Sequence, residues 1–209
     1  MSHRTGGLFR ILQIPTAYLA LQYLVGGRSA RQRFVDETVR PFRGARILDV
    51  GCGTGSLLDF VSHDVDYVGF DENPAYIESA LRRYGMRGRF RCARVGEVLE
   101  DDGEFDLVVA MAVLHHLDDD RVHSLLAHAA CVLRPDGAFV SMDATLHEGQ
   151  SWASRMLARA DRGGRVRTPA AYRALLDAHF DDVEDRVLTD LLRVPYSHYV
   201  ARARRRLAD

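Results

Sequence analysis

From residue 45 onward, short apolar segments alternate with segments whose apolar residues recur at helical spacing. A short apolar run is typical of a buried strand, and recurrence every three to four residues is typical of an amphipathic helix. Strands are predicted at 45–50, 65–70, 89–95, 105–113, 138–144, 183–188 and 197–205, helices at 55–62, 74–84, 118–133 and 168–180, and a turn at 134–137. This alternation favours a doubly wound α/β sheet that binds its ligand at the carboxyl ends of parallel strands.

Two segments depart from this alternation. Residues 8–25 are strongly apolar but contain Arg10, Pro15 and two glutamines, which disfavours a membrane-spanning helix. We interpret them as a broken amphipathic helix that packs on the domain or covers a site, and a peripheral membrane contact is left open. Residues 145–167 contain a helical piece, SWASRMLARA, among glycines and arginines. We interpret this second segment as an insertion that lies over the site.

Composition narrows the classes of partner. The 209 residues carry a formal net charge of −1, and all 28 basic residues are arginine. A near-neutral balance gives no overall attraction to nucleic acid or to a membrane, so neither is expected as a stable partner. The three cysteines form no CxxC pair, which argues against a disulfide framework or a zinc finger and favours the reducing cytoplasm.

The segment ILDVGCGTG at 47–55 follows a predicted strand and precedes a predicted helix. Glycines at 51, 53 and 55 allow a sharp turn and a close approach of the backbone to a ligand. A dinucleotide-binding fingerprint would require glycine at position 56, where this chain has Ser56. The spacing therefore favours a nucleoside ligand over NAD, and an NAD oxidoreductase is kept as a less favoured alternative.

Two acidic residues accompany the glycine loop. Asp71 follows the second strand, where a carboxylate can accept hydrogen bonds from both hydroxyls of a ribose, although it could instead cap the helix that begins near Pro74. Asp49 lies inside the first strand, where an acid is costly unless it is hydrogen-bonded. It could orient the loop or receive the amino group of a bound amino acid.

The series ILDVGCGTG, GFDENP, FDLVVAMAVLHHL and VLRPDGAFV resembles the motifs of class I S-adenosylmethionine-dependent methyltransferases. The resemblance covers about residues 45–143. It implies a Rossmann-like sheet of seven strands whose last strand is antiparallel, with S-adenosylmethionine as cofactor. By this resemblance, the glycine loop contacts the methionine part of the cofactor and Asp71 contacts the ribose hydroxyls.

The expected cofactor site has one departure from the family pattern. Such families usually carry an aspartate after the third strand, which binds the adenine amino group, whereas this chain has Arg94 near that place. Arg94 could stack on adenine, and Glu97 could supply the acceptor. The residues expected to contact the cofactor are Asp49, Gly51, Cys52, Gly53, Gly55, Asp71, Glu72, Arg94, Val95 and Met111.

The candidate catalytic residues are His115, His116 and Asp143. The histidines follow the fourth strand and Asp143 ends the fifth, so all three are expected at the carboxyl edge of the sheet. An ordinary histidine titrates near neutral pH and can accept a proton from an acceptor hydroxyl, and His115 is the first choice for this role. No metal is expected, because a set such as His116, Asp143 and His147 matches no standard spacing.

The sequence thus predicts a single methyltransferase domain that acts on a small molecule, by O-methylation, with a role in bacterial secondary metabolism left open. We divide it into an N-terminal helical cover at 1–44, a cofactor-binding core at 45–144, a lid insertion at 145–167 and a C-terminal helix and strands at 168–209. The alternative is an S-adenosylmethionine-binding enzyme of the same fold that catalyses a rearrangement or cyclisation. A non-catalytic binding protein is less favoured, and a homodimer is left open.

Overall fold

The computed structural model describes residues 26–94, 104–161 and 164–205 and contains one seven-stranded mixed sheet. The strands are β1 (Arg46–Val50), β2 (Asp66–Asp71), β3 (Arg89–Cys92), β4 (Phe105–Met111), β5 (Leu133–Ala144), β6 (Asp182–Leu188) and β7 (His198–Arg204). Their order in the sheet is β3-β2-β1-β4-β5-β7-β6. Strands β1 to β5 pair in parallel, and β7 pairs antiparallel with both β5 and β6. The predicted fold class, with its antiparallel last strand, is confirmed.

Helices cover the sheet. They are α1 (Gly27–Phe34), which continues into a π-helical turn (Val35–Val39), α2 (Pro74–Tyr84), α3 (Asp119–Val132), α4 (Trp152–Arg159) and α5 (Pro169–Asp177). Asn73 and Thr168 cap α2 and α5 by accepting hydrogen bonds from backbone N–H groups, and a proline follows each cap. Within the described ranges, no helix has the length and apolar character that crossing a membrane would need.

The central strands are buried on both faces, which explains their nearly continuous apolar sequences. Along β1, Leu48 packs in one core layer with Val122 of α3 and Leu176 of α5. The adjacent Ile47 points to the other layer, which contains Phe34 of α1. Because successive side chains of a strand point to opposite faces, one strand anchors both layers and fixes the loop that follows it.

Two predicted elements differ in the structure. The helix predicted at 55–62 is only a 3₁₀ turn, Ser56–Asp59, because the chain turns at Phe60 to reach β2 after a few residues. The strand predicted at 138–144 begins earlier, at Leu133, and the turn predicted at 134–137 is a bulge within it, since Leu133 pairs with Phe105 and Ala138 pairs with Leu107. The apolar segment 8–25 lies outside the described residues.

Candidate active site

The glycine loop follows β1 at the carboxyl edge of the sheet, between β2 and β4. The N–H of Cys52 donates to the carbonyl of Phe70 at 3.0 Å, and the N–H of Gly55 donates to the carbonyl of Cys52 at 3.0 Å. The first bond ties the loop to β2 and the second closes a tight turn. The loop is therefore held in one conformation by its own backbone and by the neighbouring strand.

Two glycines of this loop meet different surroundings. Gly51 has a φ of 68°, and a Cβ added there would lie 2.7 Å from Cγ2 of Val113. Gly53 has a φ of 55°, but a Cβ built on it would meet nothing within 4 Å. Glycine at position 51 lets the loop pack against the segment after β4. At Gly53 the backbone faces open space, as an approach by a ligand requires.

Asp71 ends β2 beside this open position. Its Oδ2 accepts from the N–H of Gly53 at 3.0 Å, and its Oδ1 accepts from the N–H of Asn73 at 2.8 Å. Burial raises the pKa of the carboxyl, and the two backbone donors oppose that rise. Because each carboxylate oxygen can accept two hydrogen bonds, each keeps one acceptor position for another donor. This arrangement fits the two hydroxyls of a ribose.

Asp49 lies below the loop with 3% of its surface exposed. The hydroxyl of Tyr67 donates to its Oδ2 at 2.6 Å. Burial raises the pKa of Asp49 to about 7, although the hydrogen bond from Tyr67 acts in the opposite direction. The structure thus satisfies this buried acid from inside the sheet, and its predicted contact with a ligand amino group stays a prediction.

The remaining cofactor candidates lie around the same edge. Glu72 and Arg94 are exposed after β2 and β3, Cys52 is buried in the loop, and Met111 is half-buried at the end of β4. Val95 lies outside the described residues. The structure therefore brings the described candidates to the ends of neighbouring strands, while their contacts with a cofactor stay predictions.

Strained backbone marks the end of β4. Ala112 has a φ of 60°, a left-handed conformation that is uncommon for residues other than glycine, and its N–H donates to the carbonyl of Met142 at 2.7 Å. Such strain persists where surrounding contacts enforce it, and it is found preferentially at functional sites. It turns the chain sharply into the 3₁₀ turn Leu114–His116, which carries both candidate histidines.

His115 lies between two carboxylates. Its Nδ1 is 2.7 Å from Oδ1 of Asp143, and its Nε2 is 3.2 Å from Oδ1 of Asp161. Burial lowers the pKa of this imidazole, but the bonds with Asp143 and Asp161 outweigh burial and raise it to about 9. A ring that is 4% exposed, protonated at neutral pH and bonded at both nitrogens is poorly suited to accept a proton. This placement argues against the first choice for the base.

The other two catalytic candidates differ in access. Asp143 is 1% exposed, and its Oδ1 also accepts from the backbone N–H of His115 at 3.2 Å. Its Oδ1 is directed at His115, and its predicted catalytic role stays a prediction. His116 is exposed, and its ring centre lies 4.3 Å from that of His115. Of the three predicted catalytic residues, His116 is the one that a substrate can reach directly.

The insertion packs onto this turn. Arg167 donates to the carbonyls of Leu114 at 2.8 Å and Leu117 at 2.7 Å, and its guanidinium pairs with Asp119 at 2.7 Å. From the same segment, the N–H of Arg165 donates to the carbonyl of His115 at 3.3 Å. The end of the insertion therefore holds the turn that carries the histidines in place.

Sequence reasoning missed two members of the site. Tyr67 is the hydrogen-bond partner of Asp49, and a tyrosine within the buried part of β2, two residues before Gly69, was a signal that could have been used. Asp161 contacts His115 from the insertion and accepts from the hydroxyl of Tyr196 at 2.6 Å. No local motif marks Asp161, because its partners are distant in sequence.

The chain is similar to known methyltransferases. Residues 47–137 match the sequence model of a family described as "Methyltransferase domain". A ubiquinone biosynthesis O-methyltransferase of Azorhizobium caulinodans is 33% identical over 107 residues, which cover 49% of this chain and 42% of that protein. O-methyltransferase rstn1 of Aspergillus nomiae is 34% identical over 124 residues, or 56% of this chain and 54% of that protein. The chain thus spans about half the length of these curated relatives.

The fold is also similar to that of a methyltransferase of known structure. The structure of human N-acetylserotonin methyltransferase, solved in complex with S-adenosylmethionine, superposes with a TM-score of 0.67 at 20% identity, covering 92% of this chain and 55% of that chain. The matched residues 47–137 include the glycine loop, Asp71 and the turn with the histidines. The motifs, the sheet and the comparisons agree: residues 47–137 resemble a methyltransferase domain, and the chain has the fold of S-adenosylmethionine-dependent methyltransferases of known structure.

Proposed function

We propose that this chain transfers the methyl group of S-adenosylmethionine to a hydroxyl oxygen of a small molecule. One observation carries the proposal: the carboxylate of Asp71 is bonded to the N–H of Gly53 at the open position of the glycine loop. This pairing presents free carboxylate acceptors beside exposed backbone, as binding of a nucleoside requires. The O-methyltransferases among the curated relatives support oxygen as the acceptor atom.

The residues of the loop would hold the cofactor. Asp71 would accept from the ribose hydroxyls, and the loop around Gly53 would lie along the methionine part. Asp49, whose pKa of about 7 makes its charge sensitive to its surroundings, would be stabilised as a carboxylate by a ligand ammonium group nearby. When bound, S-adenosylmethionine supplies a methyl group on a positively charged sulfur, so the protein has mainly to position the acceptor.

We assign the proton transfer to His116. An acceptor hydroxyl loses its proton on methylation, and an exposed imidazole at the carboxyl end of β4 can take it. The ion pairs of His115 with Asp143 and Asp161 fix the adjacent turn, so that the ring of His116 has a defined position. His115 and Asp143 are in this view positioning residues, and His116 is the group that meets the acceptor.

Turnover measurements test this function. Purified protein is incubated with S-adenosylmethionine and a set of phenols and aliphatic alcohols, and S-adenosylhomocysteine and methylated product are quantified by mass spectrometry. We expect turnover with at least one class, and a loss of about 10²–10⁴ in rate for His116→Ala with unchanged cofactor affinity. The control is His123→Ala, an exposed histidine of α3. Normal turnover of His116→Ala would contradict its role, and failure to bind the cofactor would contradict the proposed function.

The proposal also covers the location, partners and domain organisation of the enzyme. We propose a cytoplasmic protein without a stable membrane or nucleic-acid partner, organised as one domain whose insertion at 145–167 covers the acceptor. The bonds from Arg165 and Arg167 to the turn after β4 support the covering role. A homodimer stays a prediction, and light scattering of the purified protein tests it.

A further inference from the structure

Two imidazoles and one carboxylate converge at the carboxyl end of β4. Ligand atoms of His115, His116 and Asp161 all lie within 4.8 Å of one another. Among these atoms, Nε2 of His115 and Oδ1 of Asp161 lie 3.2 Å apart. A tetrahedral cation with bonds of about 2.0–2.2 Å to nitrogen and oxygen holds its ligand atoms roughly 3–4 Å apart. The separations in the cluster are therefore close to those that such a cation requires.

We propose that His115, His116 and Asp161 bind a divalent transition-metal cation such as Zn²⁺. This proposal goes beyond methyl transfer, because binding of the cation by these three side chains does not depend on the proposed reaction. Two imidazoles with one carboxylate are ligands that zinc and its neighbours prefer, whereas magnesium prefers oxygen ligands throughout. Three protein ligands leave a coordination position open, as in zinc sites that also bind water or a substrate.

The residues around the cluster already orient its ligands. Asp143 holds Nδ1 of His115 at 2.7 Å, which leaves Nε2 of the same ring directed at the cluster. A carboxylate behind a metal-binding histidine fixes the ring and increases its basicity. On the other side, the hydroxyl of Tyr196 donates to Oδ2 of Asp161 and leaves Oδ1 toward the imidazoles. His115 and Asp161 are therefore both held by residues outside the cluster.

Access and charge are also suitable. His116 is exposed and 23% of the Asp161 side chain is exposed, so a hydrated cation can reach the cluster from solvent. Nδ1 of His115 lies 2.7 Å from the carboxylate of Asp143 and its Nε2 lies 3.2 Å from the carboxylate of Asp161. Two carboxylates beside the same imidazole provide the negative charge that favours binding of a cation.

Titration of chelator-treated protein with Co²⁺ and Zn²⁺ tests the site. We expect one equivalent of Co²⁺ to produce visible absorption bands of a tetrahedral complex, and Zn²⁺ to displace it. His116→Ala and Asp161→Asn should each weaken binding at least tenfold. The matched control is His123→Ala, which removes one ring of a second histidine pair, where Nδ1 of His123 lies 2.9 Å from Nε2 of His179.

The outcomes separate clearly. Loss of the bands in His116→Ala and Asp161→Asn, with wild-type binding by His123→Ala, supports the site. No bands in the wild type, or equal binding by all four proteins, overturns it. Asp161→Asn also alters the contacts of His115 and Tyr196, so its melting temperature is measured, and His116→Ala, at an exposed position, keeps the test valid should Asp161→Asn fail to fold.

One consequence rests on the proposed function. A cation bound to His116 occupies the lone pair that would accept the acceptor's proton, so Zn²⁺ should inhibit turnover and a chelator should restore it. If the cobalt bands are present but turnover is unaffected by Zn²⁺, the metal site stands and His116 is not the base. If inhibition occurs without any specific Co²⁺ complex, the metal site is overturned while the methyltransferase assignment is untouched.

Discussion

Asp49 is a residue whose charge destabilises the folded protein near neutral pH. Burial raises its pKa from 3.8 to about 7 in the fold, against the opposing hydrogen bond from Tyr67. A carboxyl whose folded pKa is raised contributes stability that is fully present below its unfolded pKa. That contribution is lost as the pH rises through the folded pKa. The contribution of Asp49 to the free energy of unfolding should therefore decrease between about pH 4 and just above pH 7.

The substitution Asp49→Asn should remove this dependence, because the amide oxygen can still accept the hydroxyl of Tyr67 and carries no charge. Relative to the variant, the wild type should lose stability across that window by up to roughly 4 kcal/mol. Urea unfolding at several pH values measures the difference. Asp66→Asn, at the exposed start of β2, serves as the control and should run parallel to the wild type. Parallel curves for Asp49→Asn as well would contradict the prediction.

Asp71 is expected to decide cofactor affinity. Asp71→Ala removes an acceptor for two ribose hydroxyls, at a cost of about 1.5–3 kcal/mol in binding. This corresponds to a rise in Kd of roughly ten- to more than a hundredfold, measured by calorimetry with S-adenosylhomocysteine. Asp66→Asn on the same strand should bind normally. If Asp71→Ala binds the cofactor with unchanged affinity, Asp71 serves only to accept the backbone hydrogen bonds from Gly53 and Asn73.

At the scale of elements, the sequence predicted the strands and helices that have a periodic pattern of apolar residues. It missed the side-chain contacts between residues that are far apart in the chain. The central strands were recognisable because a strand buried on both faces must be apolar, and α2 was predicted with its bounds because Pro74 marks its start. The glycine loop and Asp71 carry a local motif. The contacts of His115 with Asp143 and Asp161 carry no local motif, because these residues come from the turn after β4, from β5 and from the insertion. Periodicity along the chain contains no information on side chains that are so far apart in sequence.

Arg167 should determine how firmly the insertion is attached. Its guanidinium donates to the carbonyls of Leu114 and Leu117, and the substitution Arg167→Met leaves those acceptors without that donor. We expect a loss of about 1–3 kcal/mol in stability and faster tryptic cleavage at Arg155 and Arg159 in α4. Arg173→Met, on the exposed side of α5, is the control. Equal cleavage rates in both variants would show that the insertion is held by other contacts.

At the scale of the whole molecule, cofactor binding should stabilise the folded chain. With micromolar affinity, S-adenosylmethionine at about a hundred times its Kd adds roughly 2.7 kcal/mol to the free energy of unfolding. For a chain of 209 residues this corresponds to a rise in Tm of about 5–10 °C. NADH should leave the Tm unchanged, because Ser56 replaces the glycine of a dinucleotide loop. A shift with NADH and none with S-adenosylmethionine would reverse the cofactor assignment.

The position of β7 between β5 and β6 has a consequence for synthesis on the ribosome. Among the described strands, β6 pairs with β7 alone, so residues 182–188 cannot join the sheet until residues 198–204 have been made. Until then, one side of β5 has no hydrogen-bonding partner, although the glycine loop and its neighbouring parallel strands have already been translated. An unpaired strand edge is a site of aggregation. The nascent chain should therefore depend on chaperones most during the interval in which α5 and β6 emerge.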